Sequence, residues 1–161
     1  MTLCMPTSHR RVLRRTSPWL LACALAACGP SPPSEVTFEV TGNDLMKFDV
    51  ERFEVDAPAK VTIRFRNVGS MPKVAMGHNL VVLKQGVDAL EFASECTSNG
   101  ATVENEFLPE QVRGKTLGAT KVLGPGEEDT IVVELPAAGT YPYVCTFPGH
   151  FVNMKGALVA R

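Results

Sequence analysis

Four side chains in this 161-residue sequence are of types that can bind one soft metal ion together. Cys145, His150 and Met154 fall within ten consecutive residues, and His78 lies far upstream. His78 and His150 are the only histidines after residue 27. The spacing predicts that one loop supplies a thiolate, an imidazole and a thioether, and that a separate segment supplies the second imidazole.

Two His, one Cys and a weakly bound axial Met form the ligand set of a blue-copper site. Cu(I) prefers sulfur and few ligands, whereas Cu(II) prefers more nitrogen or oxygen ligands. A trigonal site with a distant thioether suits neither state fully, so little needs to move when an electron is gained or lost. Zinc also fits these ligands, so affinity alone does not select copper. Singly, a Cys or Met is more often core filling and a His more often structural, but the combination indicates a metal site.

Short β-type segments between turn signals must position these donors. Val61, Ile63 and Phe65 alternate with polar residues over 60–67, which is typical of a half-buried strand. The other predicted strands are 36–40, 48–55, 80–83, 120–123, 129–135, 140–146 and 155–160. About eight such strands predict an all-β fold, either an antiparallel sandwich or a small barrel. Residues 86–118 lack alternation and are predicted to form a partly helical flap.

The first 27 residues are predicted to be a lipoprotein signal peptide. A basic stretch around Arg10 and Arg15 precedes an apolar run over 19–27 that is too short to span a bilayer. The run ends in Leu25-Ala26-Ala27-Cys28, which resembles a bacterial lipobox and predicts lipidation of Cys28. The alternatives are cleavage before Cys23 and an ordinary cleaved signal with an incidental Cys. The Arg10-Arg11 pair leaves twin-arginine export open.

Residues 28–34 are predicted to be a flexible linker, because Gly, Pro and Ser dominate after Cys28. The folded domain is predicted over 35–161. Gly29 rather than Asp after the lipidated Cys favours the outer membrane, so we expect the protein on the periplasmic side of a bacterial membrane. Removing the signal leaves 12 basic against 17 acidic residues, a net charge of −5. This balance argues against a nucleic-acid partner.

The segment from Cys145 to Gly156 resembles the ligand loop of the azurin family of cupredoxins. Four residues between Cys and His and three between His and Met are similar to azurin and unlike the shorter loops of plastocyanin and amicyanin. Met76-Gly77-His78-Asn79 resembles the segment that carries the first His ligand, and residues 41–48 resemble the first turn. The resemblance covers 34–161 and implies a cupredoxin-like Greek-key β-sandwich or barrel. In the flap it is poor apart from Phe107-Leu108.

The resemblance implies a role for each matching residue. His78, Cys145 and His150 would be equatorial copper ligands, with Met154 and the Gly77 carbonyl as axial contacts. The main-chain N–H groups of Asn79 and Phe147 would donate to the Cys145 sulfur and tune the redox potential. An apolar patch for partner docking would consist of Met46, Met76, Pro148 and Phe151, around an exposed edge of the His150 ring. For Met46 and Met76, ordinary core packing is an equally good interpretation.

The sequence departs from the azurin pattern at several positions. The family's disulfide is missing, since Val36 and Ala59 occupy the matching positions, and Val36 is expected to substitute by packing. Asn67 stands where several azurins have a second, non-ligand His, so no pH-linked switch is expected there. Leu80 stands near the place of a buried Trp. Cys96 has no counterpart and is predicted to be a free thiol in the flap.

The resemblance implies an electron carrier whose partners are c-type cytochromes or copper or haem reductases. No catalytic residues and no enzymatic activity are predicted, because four side-chain ligands leave no open coordination position. A copper-binding or copper-delivery lipoprotein is the main alternative. A cupredoxin module of an oxidase or reductase is the third interpretation.

Overall fold

The computed structural model describes residues 33–161. The predicted signal peptide, Cys28 and most of the predicted linker therefore lie outside the described residues. The first strand begins at Ser34, one residue before the predicted start of the domain. Between residues 33 and 161, no helix is long and apolar enough to cross a membrane.

The described residues form nine strands and three short α-helices. The strands are β1 (Ser34–Asn43), β2 (Lys47–Phe48), β3 (Arg52–Val55), β4 (Ala59–Asn67), β5 (Val81–Leu83), β6 (Thr116–Ala119), β7 (Glu128–Leu135), β8 (Gly139–Val144) and β9 (Lys155–Ala160). The helices are α1 (Lys73–Met76), α2 (Ala89–Ser98) and α3 (Glu110–Arg113). Single 3₁₀ turns occur at Val103–Asn105 and His150–Val152.

The strands assemble into two sheets. One has the order β2-β1-β4-β7 and the other the order β3-β9-β8-β5-β6. The predicted all-β sandwich is therefore confirmed. The expectation of purely antiparallel pairing is wrong, because β1 pairs with β4 and β3 pairs with β9 in parallel. Residue alternation shows which face of a strand is buried but not the direction of its partner.

The β1–β4 pair shows how the sequence pattern produces the core. Val61, Ile63 and Phe65 point inward and are almost completely buried, while Arg64 on the other face is exposed. The pairing runs without interruption from Ser34 opposite Ala59 to Gly42 opposite Asn67. It therefore places Gly42 and Asn67 side by side at one end of the sandwich, and the candidate metal centre lies at that end.

Val36 pairs with Val61 and packs against the main core, as expected for a residue that substitutes for a disulfide. Ala59 lies opposite Ser34 rather than opposite Val36. Cys96 and Cys145 are the only cysteines between residues 33 and 161, and both are buried and free.

The flap is partly helical, as predicted, and has its own small core. Asp88 caps α2 by accepting the N–H groups of Leu90 and Glu91. Buried residues of the flap pack on β5 and β8; they are Phe92, Ala93, Cys96, Leu108 and Val112. Cys96 is thus a packed thiol within α2, and burial raises its pKa to about 11.

The predicted strand at 120–123 is wrong, since the strand is β6, inside the segment assigned to the flap. β6 pairs with β5 through Ala119 opposite Val81. After Ala119 the pairing becomes irregular: the Thr120 N–H donates to the Leu80 carbonyl at 3.1 Å, but the Leu80 N–H donates to the Thr120 hydroxyl at 2.9 Å instead of to a carbonyl. Position 118 requires glycine, because a Cβ there would lie 2.9 Å from Val133 Cγ1. Glycine is uncommon in strands, so the sequence pattern did not indicate β6.

Candidate metal centre

The loop between β8 and β9 carries three of the four predicted donors. Cys145 directly follows β8 and Met154 directly precedes β9, and the Cys145 N–H donates to the Met154 carbonyl at 3.0 Å. His150 begins the 3₁₀ turn, and its carbonyl accepts the Met154 N–H at 2.9 Å. These bonds close the loop on itself, so Cys145, His150 and Met154 are held together by the main chain.

His78 reaches the same place from the segment between α1 and β5. Its N–H donates to the Leu123 carbonyl at 3.1 Å, and its carbonyl accepts the Leu123 N–H at 2.7 Å. The preceding residue must be small: a Cβ on Gly77 would lie 2.6 Å from Val122 Cγ1 and 2.7 Å from the Lys73 carbonyl oxygen. The close packing of α1 and Val122 therefore explains why position 77 is a glycine. This reason is independent of any contact between the Gly77 carbonyl and a metal.

The three strongest donors converge in the folded chain. The Nδ1 atoms of His78 and His150 are 3.1 Å apart, and His150 Nδ1 is 3.8 Å from Cys145 Sγ. The ligand atoms of all three residues lie within 4.8 Å of one another. An ion with bonds of about 2.0 Å to nitrogen and about 2.3 Å to sulfur in a trigonal plane requires N···N near 3.5 Å and N···S near 3.7 Å. The distances of 3.1 and 3.8 Å are close to these values, so the donor set fits a metal ion after small shifts of the side chains.

The surroundings favour neutral imidazoles. Burial lowers the pKa of His78, against an opposing effect of the Asn43 main chain and the Asp44 carboxylate. Burial, and then the nearby His78, lower the pKa of His150 to about 4. Lone pairs are therefore available for a metal at neutral pH. The Nε2 atom of His78 is buried without a hydrogen-bond partner.

The thiol of Cys145 is completely buried, and burial raises its pKa to about 12. The main-chain N–H groups of Asn79 and Phe147 face the sulfur and oppose this rise, as the resemblance implied. Such donors stabilise negative charge on sulfur. In this desolvated setting a thiolate needs a cation beside it, which a bound metal ion supplies.

Met154 is fully buried at the same end of the sandwich. Its methyl group occupies the space that a side chain at position 42 would take, since a Cβ on Gly42 would lie 2.6 Å from Met154 Cε. Gly42 belongs to β1, so the long parallel strand helps to fix the thioether. The sequence pattern gave no sign of this contact.

Asn79 connects the two ligand-bearing segments. Its Nδ2 donates to Thr146 Oγ1 at 2.8 Å, and its Oδ1 accepts the Thr146 N–H at 2.8 Å. The same Nδ2 donates to the Glu106 carbonyl at 2.9 Å, so the flap joins the network. The ring of Phe147 stacks on His150 with centroids 4.5 Å apart.

The predicted docking patch is only partly at the surface. Pro148 is exposed, Met46 and Met76 are half-buried, and Phe151 packs against the core of the flap. His150 is less exposed than expected, since the residue retains only 3% of its accessible area.

Sequence reasoning missed several exposed apolar residues at this end. Leu45 is 73% exposed, Val68 52%, Met71 41% and Val74 86%. Asp44 brings the two loops that carry them together, because its carboxylate accepts the N–H groups of Ser70 and Met71 at 2.8 and 3.3 Å. Single apolar residues beside turn signals were the only trace of this surface in the sequence.

Comparisons with known proteins agree with the geometry. Residues 34–161 match the family described as "Copper binding proteins, plastocyanin/azurin family". Azurin-2 of Alcaligenes xylosoxydans xylosoxydans is 38% identical over 123 residues, which cover 74% of this chain and 92% of that protein. Azurin of Pseudomonas fluorescens biotype B is 34% identical over 132 residues, covering 80% of this chain and 100% of that protein.

Solved structures give the same result. An azurin from Methylomonas sp. strain J superposes with a TM-score of 0.68 at 30% identity, covering 78% of this chain and 98% of that one. A reduced auracyanin from Roseiflexus castenholzii superposes with a TM-score of 0.67 at 32% identity, covering 81% and 99%. With its buried His78–Cys145–His150 donor set, the chain belongs to the plastocyanin/azurin family of copper-binding proteins.

Proposed function

We propose that this protein carries single electrons between periplasmic or membrane-associated redox partners. The observation that carries the proposal is the buried donor set of His78, Cys145 and His150, whose ligand atoms lie within 4.8 Å of one another. Bound copper would supply the one-electron couple. Because the main chain and the Asn79–Thr146 hydrogen bonds hold the donors, the ligands need to move little between the two oxidation states.

The residues around the donors exclude water. Cys145 and His78 have no accessible surface, and the ring of Phe147 covers His150 on one side. A desolvated site lowers the solvent reorganisation that accompanies a change of charge. His150 keeps 3% of its accessible area and lies two residues after the exposed Pro148, so it is the proposed route from the donors to a docked partner.

The optical spectrum of the oxidised copper protein, combined with a potentiometric titration, tests this function. An intense blue band from charge transfer between Cys145 and Cu(II), lost on reduction in a one-electron step, is expected. Cys145→Ser should abolish the band and leave the fold largely intact. A colourless oxidised protein, or a blue Cys145→Ser variant, would refute the proposal.

The same preparation separates electron transfer from copper delivery. A delivery protein needs an accessible site that exchanges ions readily, whereas these donors are 0 to 3% exposed. We therefore expect copper to leave over hours when a weak chelator is added. Release within seconds would favour delivery.

The partners proposed from the family resemblance are c-type cytochromes or copper or haem reductases. The exposed apolar residues at the metal end, with Met46, Met76, Pro148 and Phe151 around them, form the proposed docking surface. An apolar contact of this kind tolerates several partners and releases them quickly. Stopped-flow oxidation of the reduced protein by a bacterial c-type cytochrome tests it, and a rate no faster than with small inorganic oxidants would contradict it.

Attachment to the periplasmic side of a bacterial membrane, with the outer membrane favoured, is proposed from the lipobox and from Gly29. The lipid on Cys28 would lie six residues before β1 begins. Gly42, which touches Met154, lies about 26 Å farther along the strand at about 3.3 Å per residue. Cys28→Ala should move the protein from the membrane fraction to the soluble fraction with its blue colour unchanged. Equal membrane recovery of both forms would overturn the anchor.

A further inference from the structure

Two consecutive flap residues adopt the left-handed conformation although neither is glycine. Glu106 has φ of 57° and Phe107 has φ of 53°. This conformation costs free energy in L-residues, and it persists where the surroundings impose it, often at functional sites. Both side chains are half-buried. The neighbouring Leu108 packs in the flap core, whereas Phe107 does not belong to it.

Glu106 contacts the segment around His78 in two ways. Its carbonyl accepts a hydrogen bond from Asn79 Nδ2 at 2.9 Å. Its carboxylate accepts the N–H of Val122 at 2.6 Å, next to Leu123, which bonds to the main chain of His78 in both directions. Glu106 thus bonds to Asn79, which follows His78 in the chain, and to Val122, which precedes Leu123, the main-chain partner of His78.

Phe107 contacts the other ligand segment. Its ring lies 4.7 Å from the ring of Phe147, tilted by 58°. Phe147 in turn stacks on His150 at 4.5 Å with an angle of 25°. Phe107 and Phe147 therefore form a chain of aromatic contacts, one tilted and one stacked, that ends on the imidazole of His150.

We propose that Glu106 and Phe107 form a clasp, with Glu106 positioning the His78 segment and Phe107 positioning the His150 loop, and that this clasp sets how firmly the copper ligands are held. Neither residue touches the metal, so both are positioning residues. The proposal rests on the proposed copper function, but its structural part does not, because the contacts of Glu106 and Phe107 are made by protein atoms alone. It also gives the flap a role in the site, in addition to its own packing.

The rate at which copper passes to a strong chelator is the first measurement. Removing residues that orient metal ligands typically weakens metal binding by about 10-fold to about 100-fold. Because the clasp acts at one remove, release is expected to be on the order of 10-fold faster in Glu106→Ala and Phe107→Ala. Phe107→Tyr, which keeps the ring, should behave like the parent protein. Glu110→Ala is the matched control, since this flap carboxylate is 88% exposed and far from the ligands in its contacts.

Three further readouts separate positioning from mere stability. The blue absorption band and the reduction potential should shift in Phe107→Ala and return in Phe107→Tyr. In the metal-free protein, ¹⁵N signals of the His150 ring should broaden in Phe107→Ala only. The clasp is refuted if Phe107→Ala and Glu106→Ala lower the melting temperature yet leave the band, the potential and the His150 signals unchanged. If instead the copper function is wrong, the oxidised parent protein will be colourless, while the His150 signals of metal-free Phe107→Ala will still broaden.

Discussion

Asn79 and Thr146 form two reciprocal hydrogen bonds, each 2.8 Å long, between the segment that supplies His78 and the loop that supplies Cys145. Both residues are buried. The pair is therefore a direct bond between the two parts of the chain that must meet to build the site, and its loss should be measurable even without metal.

Asn79→Ala should lower the free energy of unfolding of the metal-free protein by roughly 2 to 4 kcal/mol, because it leaves the Thr146 N–H buried without an acceptor. Urea denaturation measures the change. Thr146→Val, which removes only the hydroxyl, should cost about 1 kcal/mol. If both substitutions lower the free energy of unfolding equally, the Asn79 Oδ1 acceptor contributes no more to stability than the Thr146 hydroxyl.

Gly77→Ala should destabilise the protein by about 1 to 3 kcal/mol, the usual range for overpacking. The new methyl group would lie 2.7 Å from the Lys73 carbonyl and 2.6 Å from Val122 Cγ1, so α1 or the His78 segment must move. Copper should bind more weakly for the same reason. Gly114→Ala is the matched control, with nothing within 4 Å of its Cβ and an ordinary φ of −58°. A Gly77→Ala variant as stable as the control would contradict the packing argument.

The metal-free protein should lose stability as the pH falls from about 7 to about 5. His150 has its pKa lowered from 6.5 to about 4, so the unfolded chain binds a proton in this range that the folded chain does not. The contribution is fully present above pH 6.5 and is lost as the pH falls toward 4; the lowered pKa of His78 acts in the same direction. Urea midpoints at several pH values measure the slope.

His150→Asn should flatten this slope, because the titrating group is gone while a side chain of similar polarity remains. The copper-loaded protein should also show a flatter profile, since the metal occupies the nitrogen that would take the proton. A midpoint that does not change between pH 7 and pH 5 in the metal-free parent would show that the imidazoles are not desolvated as described.

Val74→Lys should slow electron self-exchange by about 10-fold at low salt and leave the blue band unchanged, because like charges facing each other across an interface are repulsive. Val74 is 86% exposed in α1, so the free energy of unfolding should change by less than about 0.5 kcal/mol. Val132→Lys is the control: this residue is 52% exposed on β7, away from the ligand loop. Equal slowing by both variants would mean that the apolar surface is not the contact face.

The sequence predicted the structure correctly where residues close together in the chain determine it. The Cys145, His150 and Met154 spacing predicted a single ligand loop, and the structure closes that loop with two main-chain bonds. The alternation of Val61, Ile63 and Phe65 predicted β4 to within one residue. In both cases the physical signal lies in residues close together in the chain.

Long-range relationships were not accessible in this way. The parallel pairing of β1 with β4 depends on the whole topology, and β6 was missed because Gly118 and Ala119 have weak strand preference. The left-handed conformation of Glu106 and Phe107 had no sequence signal, since neither residue type favours it. These features arise from tertiary contacts that override local preference.

Asn67 is buried, and both polar atoms of its side chain are hydrogen-bonded: Nδ2 donates to the Leu123 carbonyl at 2.9 Å and Oδ1 accepts the Gly69 N–H at 2.8 Å. The same Leu123 carbonyl accepts the N–H of His78. An amide does not titrate near neutral pH, so acidification of the surroundings leaves the charge at position 67 unchanged. Titration at position 67 therefore does not alter the electrostatic potential at the donor site.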